Sequence, residues 1–181
     1  ADTFMFTFKQ QLDPVMMPRM STFLASNAIT IVNAEQYSMQ NAEGGIATAW
    51  EDVGIKKIDD YTIQITTVDV NTADQVMNHF YNRNSVPCYE PLWNECLSSD
   101  GLTTSYGSDL DHFMGCGPYI FDTWTYDSVQ TYVKNPDHWM AEYFNYDEVQ
   151  YRVVPEQNAR IELWEQGQLD IFAPNSATLE T

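Results

Sequence analysis

Histidine, cysteine and acidic side chains are the residues of this chain that could do chemistry, and few of them are grouped. The histidines are His79, His112 and His138. His112 closes the run D-L-D-H with Asp109 and Asp111, a cluster that can bind a metal ion, although a solvated loop gives the same pattern. No G-x-S-x-G, Walker or dinucleotide-binding motif is present. The sequence therefore predicts no catalytic residue, no cofactor and no metal site.

The cysteines stand at Cys88, Cys96 and Cys116. They include no C-x-x-C pair of the kind that holds zinc. Cys88 and Cys96 are close enough in sequence to form a disulfide in an exported protein, and three unpaired thiols fit the pattern equally well. Cys116 lies between two glycines with no activating feature, so we expect a small, unreactive side chain there.

Aromatic residues make up 14% of the chain and are more informative than the ionisable ones. Aromatic walls with a few polar groups are typical of a peptide or sugar cleft, but burial in a core is the more common use of such side chains. We expect core positions for Trp124, Trp139 and Trp164. For Phe80 and Tyr81 the residues alone leave core and cleft open.

The elements that position these residues follow from periodicity and turn signals. Thr72 is a plausible N-cap for a helix through Phe80, with Val76, Met77 and Phe80 pointing inward. The same patterns predict further helices at 3–12, 33–39, 89–96 and 155–166, and strands at 55–58, 61–67, 119–125, 128–134, 148–154 and 169–172. Helix followed by strand in this order predicts a mixed α/β fold.

Composition excludes several classes of partner. The chain has 181 residues, enough for one sizeable core or two small ones. Its net charge of -18, with only 8 lysines and arginines, excludes a nucleic-acid surface and a polybasic lipid patch. No apolar run is long enough to span a bilayer, and no signal peptide or lipidation motif is visible at Ala1.

Four motifs carry a resemblance to a known family. They are L-D-P at the end of 1–14, GIKKIDDYTIQI at 54–65, G-C-G-P-Y through K-N-P-D-H-W at 115–139, and QGQLDI at 166–171. In order and spacing they resemble the extracellular solute-binding proteins of family 5, which serve the ABC importers of peptides and oligopeptides. The family's proteins are much longer, so the resemblance implies an internal piece of such a protein.

The resemblance implies a periplasmic-binding-protein-like fold of type II, present in part. Residues 1–88 would form part of the small α+β subdomain and 89–181 part of the main ligand-binding lobe. The implied function is not enzymatic: it is capture of an oligopeptide or similar small solute outside the membrane, for transfer to an ABC permease. Short sugars and nickel complexes are also ligands in the family. The parent would lie at the extracellular face of the membrane or in the periplasm, held by a lipid anchor.

Ligand contacts implied by the resemblance fall in two groups. The first group, at the point where the family's chain crosses between its subdomains, consists of Phe80, Tyr81 and Asn82. The second group follows the family's equivalent of QLDI and consists of Ala173, Pro174 and Asn175. Pro174 has no backbone N–H to donate to a strand-like ligand. The alternative function is that of a secreted carbohydrate-binding or hydrolase domain, which the acidic composition and the aromatic residues would also fit.

Overall fold

The computed structural model describes residues 1–16, 21–25, 28–81 and 83–173. The chain divides into two compact units, which we call the first unit (Ala1–Met114) and the second unit (Gly115–Thr181). The boundary that the resemblance implies at Cys88 lies inside the first unit. Assignment of 1–88 to a small subdomain and of 89–181 to a main lobe stays a prediction.

The first unit is built of short helices and one hairpin. Its helices are α1 (Asp2–Gln11), α2 (Ser21–Ala25), α3 (Ala34–Ser38), α4 (Ala73–Phe80) and α5 (Glu90–Cys96), with 3-10 turns at Trp50–Asp52 and Arg83–Ser85. Strands β1 (Ile55–Lys57) and β2 (Ile63–Ile65) pair antiparallel, with Ile55 opposite Ile65. The structure confirms the predicted helices as α1, α3, α4 and α5. It also confirms the two predicted strands, but each is shorter than the sequence predicts.

A single hydrophobic core holds the first unit together. Its most buried large side chains come from four separate stretches of the chain: Leu12, Phe23, Leu24, Ile29, Ile31 and Val53. Full burial of such a side chain contributes roughly 1.5–3 kcal/mol relative to exposure. The core therefore depends on contacts between segments that are distant in sequence.

Two of the motifs shared with the family form turns of this unit. After α1, the Asp13 carboxylate accepts hydrogen bonds from the amides of Val15 and Met16, at 2.7 and 3.1 Å, and ends the helix. In the hairpin, Asp59 accepts the Tyr61 amide at 2.8 Å. A Cβ at Gly54 would lie 2.5 Å from the Thr66 carbonyl oxygen, so only glycine allows that backbone approach.

The second unit contains a three-stranded antiparallel sheet in the order β3–β4–β5. The strands are β3 (Tyr119–Thr125), β4 (Val129–Lys134) and β5 (Glu148–Arg152), followed by α6 (Gln157–Glu165), with a 3-10 turn at Ala141–Tyr143. The predicted hairpin is confirmed, and Asp127 occupies its tight turn with a φ of 54°. Pairing shifts by one residue between Phe121 and Thr123, which makes Asp122 a bulge.

The other two motifs are turns of the second unit. The Asn135 amide group donates to the Gly117 carbonyl at 3.1 Å, and the Asn135 backbone N–H donates to the Pro118 carbonyl at 2.8 Å. These bonds join the G-C-G-P opening to the N-P turn. At the end of α6, Gly167 takes a φ of 68°, and the Gln168 amide donates to the Leu163 carbonyl at 2.7 Å, as in a Schellman motif.

Two expectations for the second unit are wrong. Residues 169–172 form no strand, because no strand in the described part of the chain pairs with them. Trp139 is 84% exposed and Trp164 is 50% exposed, so neither is a core residue, while Trp124 is half-buried. Thr131 is the one buried side chain among the described residues of this unit, which shows that no layer formed by those residues covers the tryptophans.

Candidate functional site

Helix α4 positions the first group of predicted ligand residues, and a capping box starts it. The Gln75 amide donates to Thr72 Oγ1 at 3.3 Å, and the Thr72 amide donates to Gln75 Oε1 at 2.8 Å. The predicted N-cap is therefore confirmed. The predicted inner face is wrong at Met77, which is 69% exposed.

His79 takes the buried position on α4 that sequence reasoning did not assign to it. Its ring stacks on Phe23, with centroids 4.3 Å apart and planes 1° from parallel. Burial lowers the pKa of His79, against an opposing backbone hydrogen bond with Phe23. The imidazole is therefore neutral at physiological pH and packs as a core aromatic ring.

Phe80 and Tyr81 are neighbours in sequence but lie in opposite environments. Phe80 packs edge-on against Phe8 and Phe23, with ring centroids 6.2 and 5.9 Å away, at the border of the core. Tyr81 is 93% exposed, and its amide donates to the Met77 carbonyl at 2.8 Å, which fixes its backbone to the helix end. Of this pair, Tyr81 is the side chain that a ligand could reach, and Asn82 lies outside the described residues.

The segment after α4 is tied back to α1. The Gln11 side-chain amide donates to the Asn84 carbonyl at 2.6 Å, and the Cys88 amide donates to Thr7 Oγ1 at 2.8 Å. Thr7 in turn donates its hydroxyl proton to the Thr3 carbonyl. These contacts hold the two ends of residues 84–88 against one helix.

The three cysteines are free thiols, of which Cys88 is partly buried, Cys96 is buried and Cys116 is exposed. Burial raises the pKa of Cys88, which also hydrogen-bonds the Tyr106 side chain. The Tyr106 hydroxyl accepts the Tyr89 amide and donates to the Met114 carbonyl, both at 3.3 Å. A raised thiol pKa lowers the fraction of thiolate at neutral pH, so this environment does not activate Cys88.

The acidic run at 109–112 stabilises its own turn. Asp109 Oδ1 accepts the His112 amide at 3.0 Å and lies 2.7 Å from His112 Nδ1. Within residues 1–16, 21–25, 28–81 and 83–173, no group of three or more histidine, cysteine or acidic side chains is arranged to hold a metal ion.

The second group of predicted ligand residues begins at the end of the described chain. Ala173 is exposed, and Pro174 and Asn175 lie outside the described residues. Just before them, the ring of Phe172 lies 5.8 Å from that of Trp164. Sequence reasoning missed this contact, which the turn at Gly167 makes possible by folding the chain back on α6. The only sequence signal for it is the glycine at the C-terminal end of the helix.

Comparison with known proteins establishes the family. The sequence model "Bacterial extracellular solute-binding proteins, family 5 Middle" matches residues 1–181. This chain belongs to the family 5 solute-binding proteins. The resemblance of the four motifs is thereby confirmed, and the family is one of solute-binding proteins and not of enzymes.

Curated relatives agree with the family. The chain is 25% identical over 170 residues to the dipeptide-binding protein DppE of Bacillus subtilis, which covers 94% of this chain and 28% of DppE. It is 24% identical over 157 residues to the oligopeptide-binding protein SarA of Streptococcus gordonii, covering 84% of this chain and 23% of SarA. The chain thus spans less than a third of the length of the relatives it matches.

Solved structures show the same fold. The substrate-binding domain of an oligopeptide ABC transporter from Bacillus anthracis superposes with a TM-score of 0.72 at 23% identity, over 94% of this chain and 29% of that one. Peptide-bound OppA of Listeria monocytogenes gives 0.73 at 22% identity, over 93% of this chain and 30% of that one. The predicted periplasmic-binding-protein-like fold of type II, present in part, is confirmed.

No helix in the described ranges has the length and apolar character needed to cross a bilayer.

Proposed function

We propose that this chain is part of the substrate-binding component of an ABC importer that captures oligopeptides outside the membrane. The match of the family model to residues 1–181 carries the proposal. The relatives named as dipeptide- and oligopeptide-binding proteins support peptides as the ligand class. The parent protein would deliver the peptide to a membrane permease and would itself catalyse no reaction.

Tyr81 is the strongest candidate for a ligand contact in the described chain. Tyr81 follows the last residue of α4, and α4 packs against the core through Phe80. The backbone of Tyr81 is therefore held in place although its side chain is exposed. A phenol can pack its ring against a ligand and donate its hydroxyl proton to a peptide carbonyl. Phe80 is proposed to hold the end of α4, and with it Tyr81, against the core. The other proposed ligand contacts are Asn82, Ala173, Pro174 and Asn175.

Main-chain recognition would make the receptor tolerant of peptide sequence. Hydrogen bonds to a peptide backbone are the same for every residue type, whereas side-chain pockets provide selectivity. The proposed location is the extracellular face of the membrane or the periplasm, with a lipid anchor in the parent. The name of the family, which describes extracellular proteins, supports this location.

Two alanine variants of the full-length parent test the site. We expect Tyr81→Ala to weaken binding of a mixed peptide library by roughly 1–3 kcal/mol, as for an aromatic contact at a binding site, with a small effect on the melting temperature. Phe80→Ala is the matched control, and we expect it to lower stability by about 3–5 kcal/mol because it empties a packed aromatic site. Titration calorimetry and thermal melts separate the two effects.

The outcome discriminates between site and function. If the parent binds no peptide, the proposed function is wrong. If it binds peptide and Tyr81→Ala binds as tightly as the wild type, the function stands and the cleft lies elsewhere.

A further inference from the structure

A tight loop that follows α5 contains the one Asp-Gly pair of the sequence. Asp100 and Gly101 lie between Leu97 and Thr104, which face each other in an antiparallel bridge. Asp-Gly is the dipeptide in which aspartate rearranges most readily, because glycine has no side chain to hinder attack by its own backbone nitrogen. Asp100 is exposed, so water reaches the pair. The pair is therefore a candidate site of spontaneous modification.

The rearrangement is a ring closure that consumes no oxidant and no cofactor. The Gly101 nitrogen forms a bond to the side-chain carboxyl carbon of Asp100, and the carboxyl hydroxyl leaves as water with the amide proton. Water then opens the resulting succinimide at either carbonyl, which returns aspartate or gives isoaspartate, whose main chain is longer by one methylene group. Because the hydroxyl must leave as water, the protonated carboxyl group reacts faster than the carboxylate.

Two hydrogen bonds hold the Asp100 carboxylate in its ionised form. Asp100 Oδ1 accepts the Ser98 hydroxyl at 2.6 Å and the Leu102 amide at 3.0 Å, the second as in an Asx turn. The bond from Ser98 is the main cause that lowers the pKa of Asp100, and the bond from Leu102 adds to it. The less reactive form of the carboxyl group therefore predominates over a wider range of pH.

The attacking nitrogen is held by the same turn. The Gly101 N–H donates to the Ser98 carbonyl at 2.9 Å, and Gly101 takes a φ of 70°. Ring closure requires this nitrogen to turn towards the Asp100 side chain and to lose its proton, so the hydrogen bond must break first. Ser98 thus contacts both reacting groups, with its hydroxyl on the carboxylate and its carbonyl on the amide.

Ser98 is itself fixed across the loop. Its backbone N–H donates to the Thr103 carbonyl at 2.9 Å, and its hydroxyl oxygen accepts the Thr103 amide at 3.0 Å. The hydroxyl has one proton to donate, and Asp100 Oδ1 at 2.6 Å is nearer to it than the Thr103 carbonyl at 3.0 Å. A charged acceptor also makes the stronger hydrogen bond. The contact between Ser98 and Asp100 is therefore anchored to both sides of the loop.

We propose that Asp100–Gly101 is the site of isoaspartate formation in this chain, and that the Ser98 hydroxyl keeps the reaction slow in the folded protein by binding the Asp100 carboxylate. The Ser105 amide donates to the Cys96 carbonyl at 3.0 Å, so the loop closes on the end of α5. An extra methylene group in the main chain of the loop would disturb that closure. The protection depends on the loop alone and not on the ligand of the parent.

Isoaspartate accumulation in the full-length parent tests the proposal. The protein is incubated at mildly acidic pH, both folded and unfolded in guanidinium chloride. Chymotryptic peptides that span Asp100 are then analysed by chromatography and mass spectrometry, which identify isoaspartate by its retention and succinimide by the loss of one water. We expect accumulation to be several-fold slower in the folded than in the unfolded wild type. Ser98→Ala should raise the rate in the folded protein several-fold and leave the rate in the unfolded protein unchanged.

Two further variants separate the hydroxyl from a general loosening of the loop. Ser98→Thr keeps a hydroxyl group at the same position, and we expect it to react as slowly as the wild type. Ser99→Ala removes an exposed hydroxyl one residue away, and we expect no change in rate. A thermal melt of each variant verifies that it is folded, and the comparison of folded with unfolded wild type needs no variant at all.

The other outcomes contradict the proposal. Equal rates in the folded and unfolded wild type mean that the turn gives no protection. A folded Ser98→Ala protein that reacts as slowly as the wild type shows that the hydroxyl is not the cause. An equal rise for Ser99→Ala, or a fast reaction of Ser98→Thr, assigns the effect to the flexibility of the loop. Isoaspartate that forms mainly at another aspartate shows that Asp100 is not the site.

Discussion

The two units of this chain bury their aromatic residues in different ways. In the first unit, Phe23 is enclosed by the rings of His79 and Phe80 from a helix more than fifty residues away in sequence, and is 2% exposed. In the second unit, rings pack against neighbours on the same sheet face, and Trp139 and Tyr151 remain exposed. The first unit thus closes its core with its own segments, whereas the second holds one layer of a core.

This difference shows that hydrophobic content does not by itself predict burial. Both units are rich in aromatic residues, but among the residues that the structure describes only the first unit has segments that return over its apolar surface. Burial depends on the presence of a second layer. The comparison predicts that substitutions in the two units will have unequal effects even when the residues are of similar size.

Matched aromatic truncations should give the largest contrast. We expect Phe23→Ala to lower the free energy of unfolding by about 3–5 kcal/mol, because it leaves a cavity under His79 and Phe80. Trp139→Ala removes a larger but exposed side chain, and we expect a change within about 0.5 kcal/mol. Urea unfolding monitored by circular dichroism measures both. A loss for Trp139→Ala as large as that for Phe23→Ala would show that the second unit has a closed core of its own.

Acid should weaken the first unit through His79. Its pKa is lowered in the folded state by burial, so the unfolded chain takes up a proton first as the pH falls below about 6.5. The contribution of neutral His79 to the free energy of unfolding is therefore fully present above that pH. Below it, this contribution falls by at most about 1.4 kcal/mol per pH unit until His79 is also protonated in the folded state.

His79→Phe is the control for this pH effect, because it keeps a ring on Phe23 and removes the titration. Unfolding midpoints measured between pH 7.5 and 5 should fall for the wild type and stay level for the variant. Parallel pH profiles for the two proteins would assign the loss to other groups. The carboxylates with lowered pKa, such as Asp59 and Asp100, act in a separate window near and below pH 4.

Helix starts offer a smaller contrast between the units. Thr72 caps α4 in the first unit with its side chain, whereas Glu156 stands at the same position of α6 without a side-chain cap. We expect Thr72→Ala to cost about 1 kcal/mol and Glu156→Ala to stay within about 0.5 kcal/mol. Thermal melts of both variants check this, and equal costs would mean that the capping box at Thr72 contributes little.

A small effect is also expected at the exposed cysteine of the second unit. Cys116→Ser should lower stability by roughly 1 kcal/mol or less, since the thiol makes no buried contact. Reaction with a thiol reagent should modify Cys116 in the native chain and spare Cys96, which is 6% exposed. Loss of peptide capture by the parent on Cys116→Ser would contradict the expectation that this thiol is dispensable.

Much of the local structure was predictable because it depends on a few neighbouring residues. The Thr72 cap, the hairpin turn at Asp59 and the turn at Asn135 each use side chains within three residues of the backbone groups that they bind. The family was also predictable, since its four motifs, at 1–14, 54–65, 115–139 and 166–171, form turns and helix ends that depend on nearby residues. The ligand contacts were predicted only from the resemblance, and the structure leaves them a prediction.

The sequence by itself determined most turns, caps and strands, although not the strand expected at 169–172, because those interactions are local and their geometry depends on residue type. Tertiary structure decided what is buried: His79 turned inward on Phe23 while Met77 turned outward, and one extra residue at Asp122 moved Trp124 to the face of Phe121. It also left Trp139 exposed. Burial is a property of two surfaces in contact, and periodicity along one segment describes only one of them.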